Sequence, residues 1–378
     1  MLCSHGKYSG MGATTCTECP AGTYSSVDGA GHNLNKEKNL HVPSLISKEH
    51  VVSRLEVSDM KWQYVVVAEN GVAYGIPANA EKVLKIHKDS LGNLEIENGP
   101  NDLKTMVRKF GQGVYTNGYV YAVPLNANNV LRINTSTNKV DLIGDSARLK
   151  PTTNFVGDPD KWNAAVLGYN GIVVGIPYWS YCVLIILPNG KVELKFCDKN
   201  GLGGTRKWRH GVAVNNVVYG IPSDEARIFR MTTLNENFQL SFFGNKEIKD
   251  AGIGESWPSK WYKPTVFNDI IWCAPANAEH LLSINTKKQD KLVLFKVPIT
   301  STNELLYSQT IALPSGTLYA VPYYADHVLK IKTKKQKAEF SILKTFLDVN
   351  TTESTEFMSK PYKFMSGFVA PKTGIIYM

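Results

Sequence analysis

One line of text is written again and again along this chain. It reads "NGVAYGIPANAEKVLKI" from Asn70, "NGYVYAVPLNANNVLRI" from Asn117, "NGIVVGIPYWSYCVLII" from Asn170 and "NNVVYGIPSDEARIFRM" from Asn215. It continues with "NDIIWCAPANAEHLLSI" from Asn268, "SGTLYAVPYYADHVLKI" from Ser315 and a clipped "TGIIYM" from Thr373. The aligned prolines are Pro77, Pro124, Pro177, Pro222, Pro275 and Pro322, with gaps of 47, 53, 45, 53 and 47 residues. A period in this range restricts the chain to repeat architectures, in which each unit buries its apolar face on the next.

Each unit opens with Lys-aromatic, as in "KWQYVVV" or "KWRHGVA", and runs through an Asn-Gly-like turn into a β-branched and aromatic segment. This is a strand, a hairpin turn and a second strand. The second strand ends at proline, which has no N–H for a central ladder. Leu-x-Ile supplies a third strand and, after a polar turn, runs such as "VELKF" supply a fourth. Four short strands per unit specify an all-β chain and a β-propeller. Six units are complete and the seventh stops after two strands. Residues 40–59, "LHVPSLISKEHVVSRLEVSD", read as two further strands that would complete it. The expectation is seven four-stranded blades closed by N- and C-terminal strands, with six blades as the fallback.

The Asn/Asp-Gly turn, the Tyr-containing strand and the strand after the loop resemble YVTN-type and NHL-like propeller repeats over residues 61–378. The chain departs from that pattern in its proline, in Val174, and in Leu306-Tyr307 where other units have Lys-aromatic. The resemblance implies architecture and leaves activity open, because propellers host binding, scaffolding and catalysis.

The start has another character. "CSHGKYSGMGATTCTECPAGTYSS" is similar to the ephrin-receptor-like cysteine repeats of extracellular proteins, with Cys3, Cys16 and Cys19 in order and His32 where the next cysteine is expected. The resemblance implies a partial cysteine-rich unit over 1–38, disulfide-bonded through Cys3 and Cys16, ahead of a propeller over 39–378. It also implies a fragment of a longer extracellular protein, or a gene model lacking its first exon. Cys16-x-x-Cys19 could alternatively be half a zinc site or a redox pair, but no second Cys-x-x-Cys or His-x-x-x-His completes a metal site and no βαβ context supports a redox motif, so a structural disulfide is the expectation. Because cysteine-rich sequence follows Met1 at once, no signal peptide is expected here, and no apolar run reaches the ~18 residues that span a bilayer.

A second cysteine pair bears on redox compartment. If Asn189-Gly190 is a two-residue hairpin loop, Pro188 faces Lys191, and counting back sets Cys182 opposite Cys197, within disulfide range. The alternative is two buried thiols, because a slip of one residue separates them. Cys273 reads as a buried strand thiol. Asn134 and Asn350 begin sequons. Together these predict an extracellular or cell-surface glycoprotein.

Catalytic signatures are scarce: the sequence contains no His-Glu-x-x-His, Gly-x-Ser-x-Gly or P-loop. "GDSA" from Gly144 and "GLGG" from Gly201 read as loops. No metal and no cofactor is expected. The recurring lysine carries the functional expectation: Lys61, Lys109, Lys161, Lys207, Lys260 and Lys363 would collar one mouth of the channel, beside Asn79, Asn126, Asn277, His280 and His327. The plain alternative is a solvated strand start whose stem covers the next aromatic, and turn-forming asparagines. With 42 basic against 33 acidic residues, net +9, the expected partner is anionic, an acidic or sulfated glycan or an acidic protein. Nucleic acid is disfavoured because no basic helix or nucleic-acid module is present. The function expected is non-enzymatic recognition by a monomeric propeller. A hydrolase or lyase using His280 and His327 at the same mouth is the alternative, and a structural coat or cell-wall protein the second.

Overall fold

A computed structural model describes residues 60–87, 90–97, 102–149, 160–198, 201–254, 257–298, 305–334 and 337–343, with the short pieces 7–8, 17–18, 368–369 and 376–377. Cys3, Cys16, Cys19, Lys363, Asn350 and the strands expected in 40–59 lie outside the described residues. Within 1–38 the description extends to the pairing of Lys7–Tyr8 with Thr17–Glu18.

The chain is an all-β propeller. Six four-stranded antiparallel sheets each run in sequence order from first to fourth strand. Their first strands are Trp62–Val67, Phe110–Thr116, Trp162–Leu167, Trp208–Val214, Thr265–Phe267 and Tyr307–Ala312. Six described blades match the fallback count; a two-stranded hairpin, Phe368–Val369 with Ile376–Tyr377, follows them. Two compact units divide the chain. One, residues 51–249 with 254–256, holds blades 1 to 4; the other, residues 1–50, 250–253 and 257–378, holds blades 5 and 6 and the hairpin. Among the described residues no helix is long and apolar enough to cross a membrane.

Local chemistry explains the blades. The hairpins at Asn117-Gly118 and Asn268-Asp269 place both loop residues at positive φ, as a two-residue type I′ turn requires. In five blades proline is the last residue of the second strand, as at Pro77 and Pro177. In blade 5 the proline of "KWYKPTV", Pro264, shortens the first strand to Thr265–Phe267, and Trp261 meets Pro275 in an isolated bridge. Within each unit the core lies between successive blades: blades 1 and 2, 2 and 3, and 3 and 4 share buried clusters in one unit, and blades 5 and 6 in the other.

The aromatic after the recurring lysine is the pillar of its own blade. Trp62, Trp162, Trp208 and Trp261 donate Nε1–H to the carbonyls of Lys82, Cys182, Arg227 and His280, five residues past each proline. Trp208 also stacks on Phe242, with ring centroids 5.4 Å apart. Blade 6 has Tyr307 instead, and its hydroxyl bonds His327 Nε2 at 2.8 Å while His327 Nδ1 meets Asp326 at 2.5 Å. Burial raises the Tyr307 hydroxyl far above its ordinary pKa, so it stays protonated. Tyr307→Phe is expected to cost about 1–3 kcal/mol, the penalty for orphaning a buried imidazole nitrogen. Urea denaturation measures it, and a change under about 0.5 kcal/mol, the low end for a net hydrogen bond, would mean that the bond contributes nothing.

Cys182 and Cys197 are disulfide-bonded with Cα atoms 4.2 Å apart, by a route that differs from the expected one. The loop after blade 3's third strand has three residues, Pro188 to Gly190, with only Gly190 at positive φ. Leu187, not Pro188, therefore faces Lys191, and Val183 pairs with Lys195. That register alone would set Cys182 opposite Phe196. Phe196 adopts φ +54°, a conformation costly for a bulky residue, and this extra step carries Cys197 round to Cys182. The two irregularities cancel.

Candidate functional site

The recurring lysine does not open onto solvent in blades 2 to 5. Lys109, Lys161, Lys207 and Lys260 are at most 3% exposed. Lys109 Nζ donates to the carbonyls of Ala78 and Asn79, at 3.4 and 3.0 Å, and Lys161 Nζ to those of Asn126 and Ala127, at 3.3 and 2.8 Å. Lys207 Nζ donates to Tyr178 and Gly204, at 3.1 and 2.9 Å, and Lys260 Nζ to Trp257 at 2.8 Å. The main chain of the same residue is a staple. Its N–H bonds the first post-proline carbonyl of the preceding blade, as in Lys109 to Ala78, Lys161 to Leu125 and Lys207 to Tyr178. Its own carbonyl accepts from its blade's post-proline loop, as Lys161 does from Tyr178 and Ser180. Leu306 keeps the backbone staple without the ammonium. Buried turn carbonyls must find donors, and the lysines supply them. The expected solvent-facing collar is thereby corrected for these four residues, whereas Lys61 is exposed.

Burial has an electrostatic consequence. Desolvation lowers the Lys207 pKa from 10.5 to about 7, against a smaller opposing pull from Glu225. Between those values the unfolded chain holds a proton at this site that the folded chain has released, so this group's contribution to stability rises with pH. Wild type should therefore gain melting temperature relative to Lys207→Met as pH increases from about 7 to 10, the window between the two pKa values. Parallel Tm curves for the two proteins across that range would refute the shift.

The other expected site residues also hold structure. Asn79 Oδ1 accepts from Arg108 N–H at 2.8 Å, while Asn126 and Asn277 Nδ2 donate to Val107 and Pro258 at 3.0 and 2.7 Å, so all three fix the segments entering the blades. His280 begins the third strand of blade 5 and His327 immediately precedes that of blade 6, each as the partner of its blade's pillar, through the His280 carbonyl to Trp261 and the His327 ring to Tyr307. Burial, then Lys296, lowers the His280 pKa. Asn134 Oδ1 caps its own turn, accepting from Ser136 and Thr137 N–H. Cys273 is buried, and its thiol pKa is raised by desolvation.

A different set of side chains converges in the unit of blades 1 to 4. Register shifts interrupt the first strand just after the pillar, between Trp62 and Tyr64, Phe110 and Gly113, Trp162 and Ala164, and Trp208 and His210. A β-bulge re-aims the side chain it carries, and these bulges carry Gln63, Gly111 with Gln112, Asn163 and Arg209. The first strands stand side by side closely enough that a Cβ on Gly111 would lie 2.5 Å from the Asn163 carbonyl oxygen. Asn163, buried, donates Nδ2–H to Tyr64 Oη at 3.3 Å and to the Arg209 carbonyl at 2.9 Å. Three blades are tied through one amide.

Arg209 lies over the Tyr178 ring, 6.0 Å from its centroid. Tyr178 is itself fixed, because its carbonyl accepts from both the N–H and the Nζ of Lys207. Burial raises the Tyr178 pKa, opposed by Arg209 and Arg206. Arg206 pairs with Asp224 at 2.8 Å, and Arg108 pairs with the buried carboxylate of Asp160. Arg108 and Arg206 each precede a clamp lysine and hold φ of +52° and +49°. Strained backbone of this kind persists only where the surroundings enforce it. Their side chains remain 41% and 45% exposed, so the segments entering blades 2 and 4 present arginine to solvent, whereas Arg209, over the anchored tyrosine, is partly buried. Sequence reasoning passed over Tyr178, Asn163, Arg209, Arg108, Arg206, Asp160 and Asp224. The available signal, for Asn163 and Arg209, was the residue after Lys-aromatic, polar or glycine in the first four units: Gln63, Gly111, Asn163 and Arg209. Among the described residues no group of His, Cys, Asp and Glu could hold a metal ion.

No protein-family model matches the chain, and no curated protein matches its sequence. Solved structures do resemble it. Virginiamycin B lyase from Staphylococcus aureus is 16% identical with a TM-score of 0.53, over 75% of this chain and 85% of that one. A streptogramin B lyase is 12% identical with a TM-score of 0.54, over 77% and 86%. A catalytically inactive form of the Staphylococcus aureus enzyme, with quinupristin, is 14% identical, with a TM-score of 0.53 over 77% and 87%. At these identities the likeness establishes the propeller fold.

Proposed function

We propose that this chain is a non-enzymatic recognition propeller of a secreted or cell-surface protein, which binds an anionic partner at the arginine-lined end of blades 2 to 4. The observation that carries the reading is the bulged Arg209 over Tyr178, flanked by Arg108 and Arg206. Guanidinium presents paired donors in a fixed fork that matches carboxylate, sulfate and phosphate oxygens. A lysine collar would offer mobile point charges; here four of the lysines hold the loops, Arg108 and Arg206 are exposed, and Arg209 lies half-buried over Tyr178. The partner is an acidic or sulfated glycan or an acidic protein segment. The disulfide Cys182–Cys197 supports an oxidising compartment.

The fold neighbours are lyases, but a shared propeller transfers no chemistry. A panel of acidic and neutral oligosaccharides separates the readings. Retention of acidic members, weakening with added salt and without change in their mass, is the expected result. Retention of neutral members alone would refute the anionic site, and conversion of a bound oligosaccharide would make the chain an enzyme.

A further inference from the structure

We infer that the Cys182–Cys197 disulfide is a positioning element of the arginine site, so that ligand capture depends on an oxidised bond. The inference rests on the arginine-site reading above and deepens it. Two strips of chain run from the disulfide towards the site. One is the loop 178–182. Ser180 Oγ bonds the N–H and the carbonyl of Cys182, that carbonyl also accepts from Trp162 Nε1, and Ser180 N–H returns to the Lys161 carbonyl. This strip leads directly to Tyr178. The other comprises residues 197–198 and 201–207 of the linker, which carries Arg206.

The linker is attached at both ends. Next to the disulfide, Asp198 N–H bonds the Tyr181 carbonyl at 3.2 Å. Asp198 then holds Gly201 and Leu202 through its carboxylate and carbonyl, at 2.9 and 2.8 Å, and Leu202 is buried. At the far end Lys207 Nζ bridges Gly204, on the linker, to Tyr178, on the loop. The disulfide and Lys207 thus clip the same two strips together, one clip at each end. The covalent clip also maintains a register that Phe196 reaches only at positive φ. Without it the Asp198–Tyr181 bond has a strained neighbour on one side and an untethered strand end on the other. Loss of that clip loosens Gly204 from Lys207 and Arg206 from its place beside Tyr178.

Cys197 is exposed and Cys182 is buried. A small dithiol would attack Cys197 Sγ, releasing Cys182 as a thiolate that takes up a proton. The dithiol's second sulfur then closes its own ring disulfide and frees the Cys197 thiol. Two electrons and two protons pass from the dithiol to the two cysteines.

The test uses the full chain, oxidised and after dithiothreitol, together with a C182S/C197S variant. Acetic anhydride labelling read by mass spectrometry reports the clip, with Lys109 as internal control because its carbonyl partners lie in blade 1. Binding of a heparin-derived hexasaccharide reports capture. Reduction is expected to accelerate Lys207 acetylation at least tenfold relative to Lys109 and to weaken hexasaccharide binding at least tenfold, both reversed on reoxidation. Unchanged Lys207 labelling, or faster labelling with unchanged affinity, would overturn the inference. No binding by the oxidised chain would instead sink the arginine-site reading, and the labelling result would still decide whether the bond positions the linker. Should the serine variant fail to fold, reduction of the folded wild type supplies both readouts.

Discussion

Lys161→Glu is expected to leave the chain unfolded at about 25 °C, the temperature to which the stability figures below refer, while Lys61→Glu folds with near wild-type stability. The two lysines occupy the same position in their repeats and differ in surroundings. Lys161 is 3% exposed and donates to the carbonyls of Asn126 and Ala127. Glutamate there sets a carboxylate against acceptors, and an uncompensated buried charge costs about 3–5 kcal/mol. Each orphaned carbonyl adds about 1–3 kcal/mol. The sum reaches the total stability of ordinary domains, about 5–15 kcal/mol. Lys61 is solvated, where substitutions usually stay within about 0.5 kcal/mol. Equal urea midpoints for the two variants would show that the buried lysine clamps nothing.

Gly111→Ala should cost at least about 3 kcal/mol, at or beyond the upper end of the usual overpacking range. The new methyl would lie 2.5 Å from the Asn163 carbonyl oxygen and 3.0 Å from the Trp162 oxygen. Both are backbone atoms, which cannot rotate aside. The first strand of blade 3 must retreat, taking Asn163 from Tyr64 and Arg209, so stability and ligand binding should fall together. Gly92→Ala is the control, since nothing lies within 4 Å of its added Cβ. Denaturation curves that coincide for the two variants would contradict the close approach of the first strands.

Much of the fold was legible because its determinants are local. Asn-Gly turns, prolines that cannot continue a ladder and β-branched runs mark each strand within a few residues, and the period repeats the message. The Cys182–Cys197 pairing was legible too, although the turn type behind it was not. Pro188-Asn189-Gly190 forms a three-residue loop, and only the left-handed step at Phe196 restores the opposition. The direction of the lysines was not legible. A repeated Lys-aromatic reads the same whether Nζ meets water or a carbonyl of the preceding blade, and that partner lies about thirty residues back. The arginine site was hidden for a related reason. Arg209 and Asn163 follow the pillar in strict alternation with it, and a bulge that no single residue announces turns them towards Tyr178 and Tyr64.

The central claim is that arginine in this cluster, rather than the chain's net positive charge, captures an anion. Titration of a heparin-derived hexasaccharide into wild type, Arg209→Gln and Lys332→Gln tests it most directly. Both variants lose one positive charge; Lys332 is an exposed residue of blade 6's third strand. The account predicts at least a tenfold weaker Kd for Arg209→Gln, consistent with loss of a charged hydrogen-bonding group worth about 1.5–3 kcal/mol, and an unchanged Kd for Lys332→Gln. Equal weakening in both variants, or none in Arg209→Gln, would contradict it.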